Sequence, residues 1–240
     1  MMTEAIQVFS EEFNTFHWTR SLDEIIKKSG FNILELIAEF DVKSIFDVPG
    51  VSTYDLELAV SHPDLEFHLF DKNPQCLKTI EYLITGDESI LNNLSNAYAS
   101  LAKQQDGFFH LDESRFHFYE GDLAGDLDCF SEGEFDLGMC NYVFQYIPLN
   151  RKANALINLG KISDNVLITK LTNSYDSSYF GNQVTMLYFY EGIGEGRVRR
   201  HLSLKRLSEF LGKKVDVQCI QGPLARLGKY SWVNVNVLGF

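Results

Sequence analysis

An α/β fold built on one mostly parallel, seven-stranded sheet is predicted for this chain, and three features of its sequence carry the prediction. The first is a strand–turn–helix–turn–strand unit between Lys43 and Pro74. The second is a series of further short apolar runs, at Phe116–Tyr119, Phe135–Tyr142 and Asp164–Leu171, each reached through a helical or loop segment. The third is a closing pair of strands, Val215–Ile220 and Ser231–Leu238, separated by a Gly-containing loop with no helix between them. Parallel neighbours need a long crossover, usually a helix, so two strands joined by a loop are expected to pair antiparallel.

The unit at Lys43–Pro74 resolves into five parts. Ser44–Val48 reads as a buried strand, Pro49–Thr53 as a tight turn and Tyr54–Ser61 as a helix. A Pro-containing turn then leads to a second strand, Leu65–Phe70, which ends on the carboxylate of Asp71. A right-handed crossover puts both strand ends on one sheet edge, where ligands of open α/β folds collect. An acid at the end of the second strand is placed to accept hydrogen bonds from both hydroxyls of a ribose. The unit therefore points to a nucleoside. A dinucleotide fold would need G-x-G-x-x-G so that the backbone could approach a pyrophosphate; this turn holds Gly50 alone.

The flanking elements follow from periodicity and punctuation. Ser21–Lys28 and Ile33–Phe40 carry apolar residues at helical spacing, with Ser21 and Glu24 forming a capping pair and Gly30 separating the two helices. Residues 75–105 read as a crossover of two helices broken near Gly86-Asp87, and Gln104–Ser114 as a loop. Asn173–Gly196 is a Tyr-rich excursion, in which Val184–Tyr190 and Arg197–His201 flank a Gly-rich turn as a hairpin. Leu204–Leu211 is an amphipathic helix ended by Gly212. The expected organisation is a single domain over 1–240: a helical cap at 1–40 and an α/β core at 41–240, with an insertion near 173–201. A chain of 240 residues is long enough for one such domain.

Composition narrows the partners. The net charge of −12 argues against nucleic acid, whose phosphates are held by basic patches. The cluster Arg197, Arg199, Arg200, His201, Lys205 and Arg206 reads as a solvated hairpin and helix start. Four cysteines without a C-x-x-C spacing suit a reducing, cytoplasmic setting. Neither a signal peptide nor an apolar run long enough to span a membrane is evident, so no membrane association is expected. His110 and Asp112, with His117 nearby, lack a third ligand at metal spacing, and no metal site is expected. Nucleophile-elbow and phosphate-loop motifs are absent.

With these elements in order, the chain resembles the class I S-adenosylmethionine (SAM) methyltransferases, most closely their small-molecule O-methyltransferase-like group. The resemblance rests on Asp47 and its turn, on Asp71, on Gly121-Asp122 after the third strand, and on Phe135–Tyr142 running into Val143–Pro148. It spans roughly residues 43–240 and implies a Rossmann-like class I methyltransferase fold with an antiparallel C-terminal strand, an N-terminal helical cap and SAM as cofactor. Carried over by position, Asp47 would orient the turn, and Pro49, Gly50 and Val51 would lie beneath the methionine moiety. Asp71 would accept from the ribose with Lys72 and Asn73 beside it. Asp122 would receive the adenine amine, with Leu123 against the ring and Asn141 near the sulfonium. One departure stands out: the family's acid-x-Gly-x-Gly-x-Gly turn has Pro49, Val51 and Thr53 at its three glycine positions. Proline fixes φ, and branched residues disfavour φ > 0, so the turn must take another form.

The resemblance implies methyl transfer to an O or N of a small metabolite, in secondary metabolism. Such a transfer is an in-line displacement that needs positioning and a dry site more than an enzyme nucleophile. His17 and Tyr146 are the candidate proton-handling residues. Phe16, Trp18, Tyr142, Gln145, Tyr146, Tyr175, Tyr179 and Tyr188 would line a pocket for an aromatic or acyl acceptor. The same aromatics would also serve hairpin packing or a homodimer contact. The replaced glycines keep open an alternative: a protein of this fold that no longer methylates, acting as a binding or regulatory partner or catalysing another reaction in the same pocket.

Overall fold

The computed structural model describes residues 33–48, 54–103, 109–140 and 147–169, and beyond these the segments 179–180, 183–184, 186–191, 198–212, 214, 216–221 and 234–239. The first β-α-β unit forms where the sequence places it. Strand β1 is Ser44–Val48, helix α2 is Tyr54–Ser61 and strand β2 is Glu66–Asp71. Ahead of it stands α1, Ile33–Glu39, whose Ile33, Leu36 and Ile37 are buried. The rest of the expected N-terminal cap lies outside the described residues.

The crossover after β2 divides into three helices where two were expected: α3 (Pro74–Thr85), α4 (Glu88–Asn92) and α5 (Asn96–Lys103). Gly86 ends α3 in the left-handed conformation, its N–H bonded to the Tyr82 carbonyl, and Asp87 then caps α4 through the Ser89 N–H. The break read at Gly86-Asp87 is thus two back-to-back caps. Strands β3 (Phe116–Glu120), β4 (Phe135–Cys140) and β5 (Ser163–Thr169) follow, with α6 (Lys152–Ile162) between the last two.

Two short antiparallel pairs come next: β6 (Tyr179–Phe180) with β7 (Gln183–Val184), and β8 (Met186–Glu191) with β9 (Val198–Ser203). Helix α7 (Leu204–Leu211) is capped by Ser203 and ended by left-handed Gly212. Strands β10 (Asp216–Gln221) and β11 (Asn234–Gly239) close the chain. Among the described residues the main sheet has the order β10-β11-β5-β4-β1-β2-β3. Strands β1 to β5 run parallel, and β11 lies antiparallel between β5 and β10.

Side chains alternate across the parallel strands, so the sheet separates two apolar layers. On one face Ile45, Phe67, Leu69 and Leu137 pack with α1 to α5; on the other Phe46, Phe70, Val166 and Ile168 pack with α6 and α7. The second layer holds a run of aromatic contacts in which Phe46 meets Phe70, Phe130 and Phe135 at centroid distances of 5.4, 5.3 and 5.1 Å. The plentiful phenylalanines thus fill this core beneath the sheet's carboxyl edge.

Arg115 fastens α2 to the sheet. Its guanidinium donates to the carbonyls of Leu65, Ala59 and His62, at a helix end and a strand start. Arg115→Ala removes a charge-assisted donor from three partly buried carbonyls. The expected loss is about 2–3 kcal/mol of stability, read as a lower denaturant midpoint at unchanged slope.

Candidate functional site

A doubly wound sheet opens a crevice where the chain leaves one side of its first strand for the other. Here the reversal falls at β1, which has β2 on one side and β4 on the other. At the carboxyl ends of these strands lies a cavity of about 220 Å³ lined by Val48, Phe70, Asp71, Lys72, Gly121, Asp122, Leu123, Ile147, Pro148 and Arg151. Four of the residues singled out from the sequence, Asp71, Lys72, Asp122 and Leu123, therefore share one cavity.

Asp71 ends β2 nearly buried, at 9% exposure. Its Oδ1 accepts the Asn73 N–H at 2.8 Å, and its carbonyl accepts the Gly121 N–H at 3.1 Å, which ties the ends of β2 and β3 together. Gly121 is required by close approach: a Cβ there would stand 2.5 Å from Phe70 Cζ, inside the cavity wall. Asp122 is held still more firmly. Oδ1 accepts the Ala124 N–H at 3.0 Å, and Oδ2 accepts from Arg151 at 2.7 Å and Lys72 at 3.5 Å. Burial pulls its pKa upward, but the Ala124 N–H and the two cations outweigh burial and hold it below the usual carboxylate value. Asn158 of α6 donates to the carbonyls of Leu123 and Gly125, fixing the loop that carries Asp122.

Two expected cofactor contacts are directed elsewhere. Asp47 does not line the cavity; its carboxyl is fully buried, and Oδ2 accepts the hydroxyl of Tyr54 at the start of α2. Beside it lies Asp55, also fully buried. Among the described residues Asp47 Oδ1 and both oxygens of Asp55 meet no hydrogen-bond donor, and a proton held between the two carboxyls would satisfy them. Burial pushes Asp47 up to about 7, against the hydrogen bonds from Tyr54 and Asp55. Burial and then the charge of Asp47 push Asp55 well above the carboxylate range. Asn73 also faces inward. Its Oδ1 accepts the Gln75 N–H and caps α3, while its amide donates to the Tyr98 hydroxyl at 2.6 Å. That side chain supports the Asp71 turn from behind.

Sequence reasoning missed Val48, Phe70, Ile147, Pro148 and Arg151 as cavity residues, and the buried Asp55. Arg151 had a signal: it follows Pro148 closely at the entry of α6, where a side chain sits over the sheet edge. Tyr179 and Tyr188 fall on β6 and β8, which are outside the main sheet. Phe16, His17, Trp18, Pro49, Gly50, Val51, Asn141, Tyr142, Gln145, Tyr146 and Tyr175 lie outside the described residues.

The parallel strands and their flanking helices form a Rossmann-like fold, with the antiparallel strand near the C-terminus that the sequence resemblance implies. No family model matches the chain, and no curated protein does. Solved structures similar to it include the methyltransferase domain of bacterial CtHen1, at 13% identity over 87% of this chain and 95% of that one, TM-score 0.49. An S-adenosylmethionine-dependent methyltransferase from Clostridium acetobutylicum is similar at 12% identity over 87% and 89%, TM-score 0.45. The N-terminal domain of EvdMO1, solved with SAH and D-fucose, is similar at 10% identity over 86% and 79%, TM-score 0.48. Among the described residues no helix is long and apolar enough to cross a membrane.

Proposed function

We propose that this chain is a SAM-dependent methyltransferase that transfers the methyl group to an O or N of a small-molecule acceptor. One observation carries the reading: Asp71 and Asp122 stand at adjacent strand ends in a single cavity at the sheet's reversal point. Asp71 would take the ribose hydroxyls, Leu123 and Phe70 would pack against the base, and Asp122 would receive the exocyclic amine. SAM supplies an activated methyl on a sulfonium; the chain's part is to hold the nucleoside, exclude water and align the acceptor. No metal is called on for this step.

A second reading draws on two observations. The glycine positions of the first turn hold Pro49, Val51 and Thr53. Arg151 and Lys72 already occupy the Asp122 oxygen that would meet an adenine amine. Both favour a protein of the same fold with an altered ligand or no methyl transfer. Titration calorimetry with SAM and with S-adenosylhomocysteine separates the readings, together with mass spectrometry of nucleosides released from denatured protein. Saturable binding of either ligand supports the first reading. Absence of binding at millimolar ligand, with none carried through purification, gives the point to the second.

A further inference from the structure

The register of β2 and β3 assembles a group of side chains that neither strand suggests alone. His68 and His117 are direct partners across the two strands, and Glu66 lies two residues before His68, hence on the same face. One ligand atom from each of Glu66, His68 and His117 lies within 4.8 Å of the other two. The imidazoles stack face to face at a centroid distance of 4.6 Å with planes 22° apart. His68 Nδ1 meets the Tyr119 hydroxyl at 3.2 Å, and its Nε2 faces Glu66 Oε2 at 4.0 Å. A hydrogen bond at Nδ1 fixes the ring and leaves Nε2 as the coordinating atom, the usual support for a histidine ligand.

The geometry points to a binding site for a late first-row divalent cation, with Zn²⁺ as its representative, formed by Glu66, His68 and His117 and supported by Tyr119. Two imidazoles and one carboxylate suit Zn²⁺ and its neighbours better than Mg²⁺ or Ca²⁺, which prefer all-oxygen sets. Ligand bonds of about 2.0–2.1 Å place tetrahedral donors about 3.3 Å apart, so the site closes by a modest inward movement. Glu66 is the side chain free to make it, being 61% exposed. Glu134 is close enough for its charge to act on both His68 and Tyr119, which adds an anionic neighbour. The site sits toward the amino-terminal end of β2. His68 is three residues from Asp71, about 10 Å along a strand, so the cation would clamp the edge strand β3 to β2 and take no part in the nucleoside pocket. The inference does not depend on the proposed methyl transfer.

The test uses the full chain, stripped by chelator and titrated calorimetrically with Zn²⁺ and with Mg²⁺, and separately with Co²⁺ as a spectroscopic probe. The expected result is one Zn²⁺ per chain, no heat with Mg²⁺ and a higher Tm in the presence of Zn²⁺. Co²⁺ should give visible bands without thiolate charge transfer. His68→Gln, His117→Asn and Glu66→Gln should each weaken Zn²⁺ binding at least tenfold, and Tyr119→Phe about tenfold. His110→Asn and Cys129→Ser should leave it unchanged. Glu66→Gln changes an exposed residue and keeps the test valid should a histidine variant fail to fold. Absence of saturable Zn²⁺ binding, its persistence in the ligand variants, or its loss with the thiolate band in Cys129→Ser would each overturn the proposal.

Discussion

Asp71→Asn is expected to weaken SAM and S-adenosylhomocysteine binding roughly 100-fold while leaving the fold intact. The substitution keeps an acceptor for the Asn73 N–H at the end of β2, so the turn that Oδ1 organises survives. What would be lost is the charge, and with it the charge-assisted part of the proposed hydrogen bonds to the ribose hydroxyls, about 2–3 kcal/mol in all. Asp71→Ala removes the turn contact as well and should cost more affinity together with some stability. Calorimetric Kd values beside thermal melts tell the two apart. Unchanged affinity in Asp71→Asn, in a wild type that does bind, would remove the ribose role.

The second large effect concerns stability and comes from the Asp47–Asp55 pair. Both acids have folded-state pKa values raised above 3.8, Asp47 to about 7 and Asp55 well above that ordinary value. The folded protein therefore holds protons that the unfolded chain has released, and stability falls as pH rises. The pair's favourable contribution is fully present below the unfolded value near 4 and is lost as pH climbs through about 7. Chemical denaturation between pH 5 and 8 should show this decline. Asp55→Asn supplies a permanent N–H donor to Asp47 in place of a shared proton. It should flatten the profile and raise stability above pH 7 by about 1–3 kcal/mol, or roughly 2–10 °C in Tm for a chain of this size. A variant less stable than wild type at pH 8, with the slope unchanged, would rule out the proton-sharing account.

The pair also bears on the altered first turn. Asp47 precedes the segment where the resembled family places its glycines, and here it anchors Tyr54 at the start of α2. The strand and helix on either side of the turn are thereby tied to each other through a buried hydrogen bond. That bond fixes the ends of the turn independently of the residues within it.

The sequence by itself determined what local physics controls. The limits of β1 and α2 agree with its reading to the residue, because a short apolar-rich run closed by a turn and the helix that follows are set by neighbouring residues. The helix ends at Gly86 and Gly212 were legible because a left-handed C-cap favours glycine wherever it occurs. Asp71 was legible too, since a carboxylate at a strand end declares its position along the strand. Tertiary structure alone decided which way polar side chains turn and what they meet. Asp47 faces the core because α2 folds back and delivers Tyr54 and Asp55 to it; Asn73 turns inward to a hydroxyl that α5 brings from Tyr98. Arg151 reaches Asp122 only because α6 packs beside the loop after β3, and His117 finds His68 only through the strand register. Asp47 and Tyr54 are only 7 residues apart but meet across a strand and a helix, and the Asn73–Tyr98 and Arg151–Asp122 contacts span 25 and 29 residues; all depend on sheet order and helix packing, which no local pattern of residue types encodes.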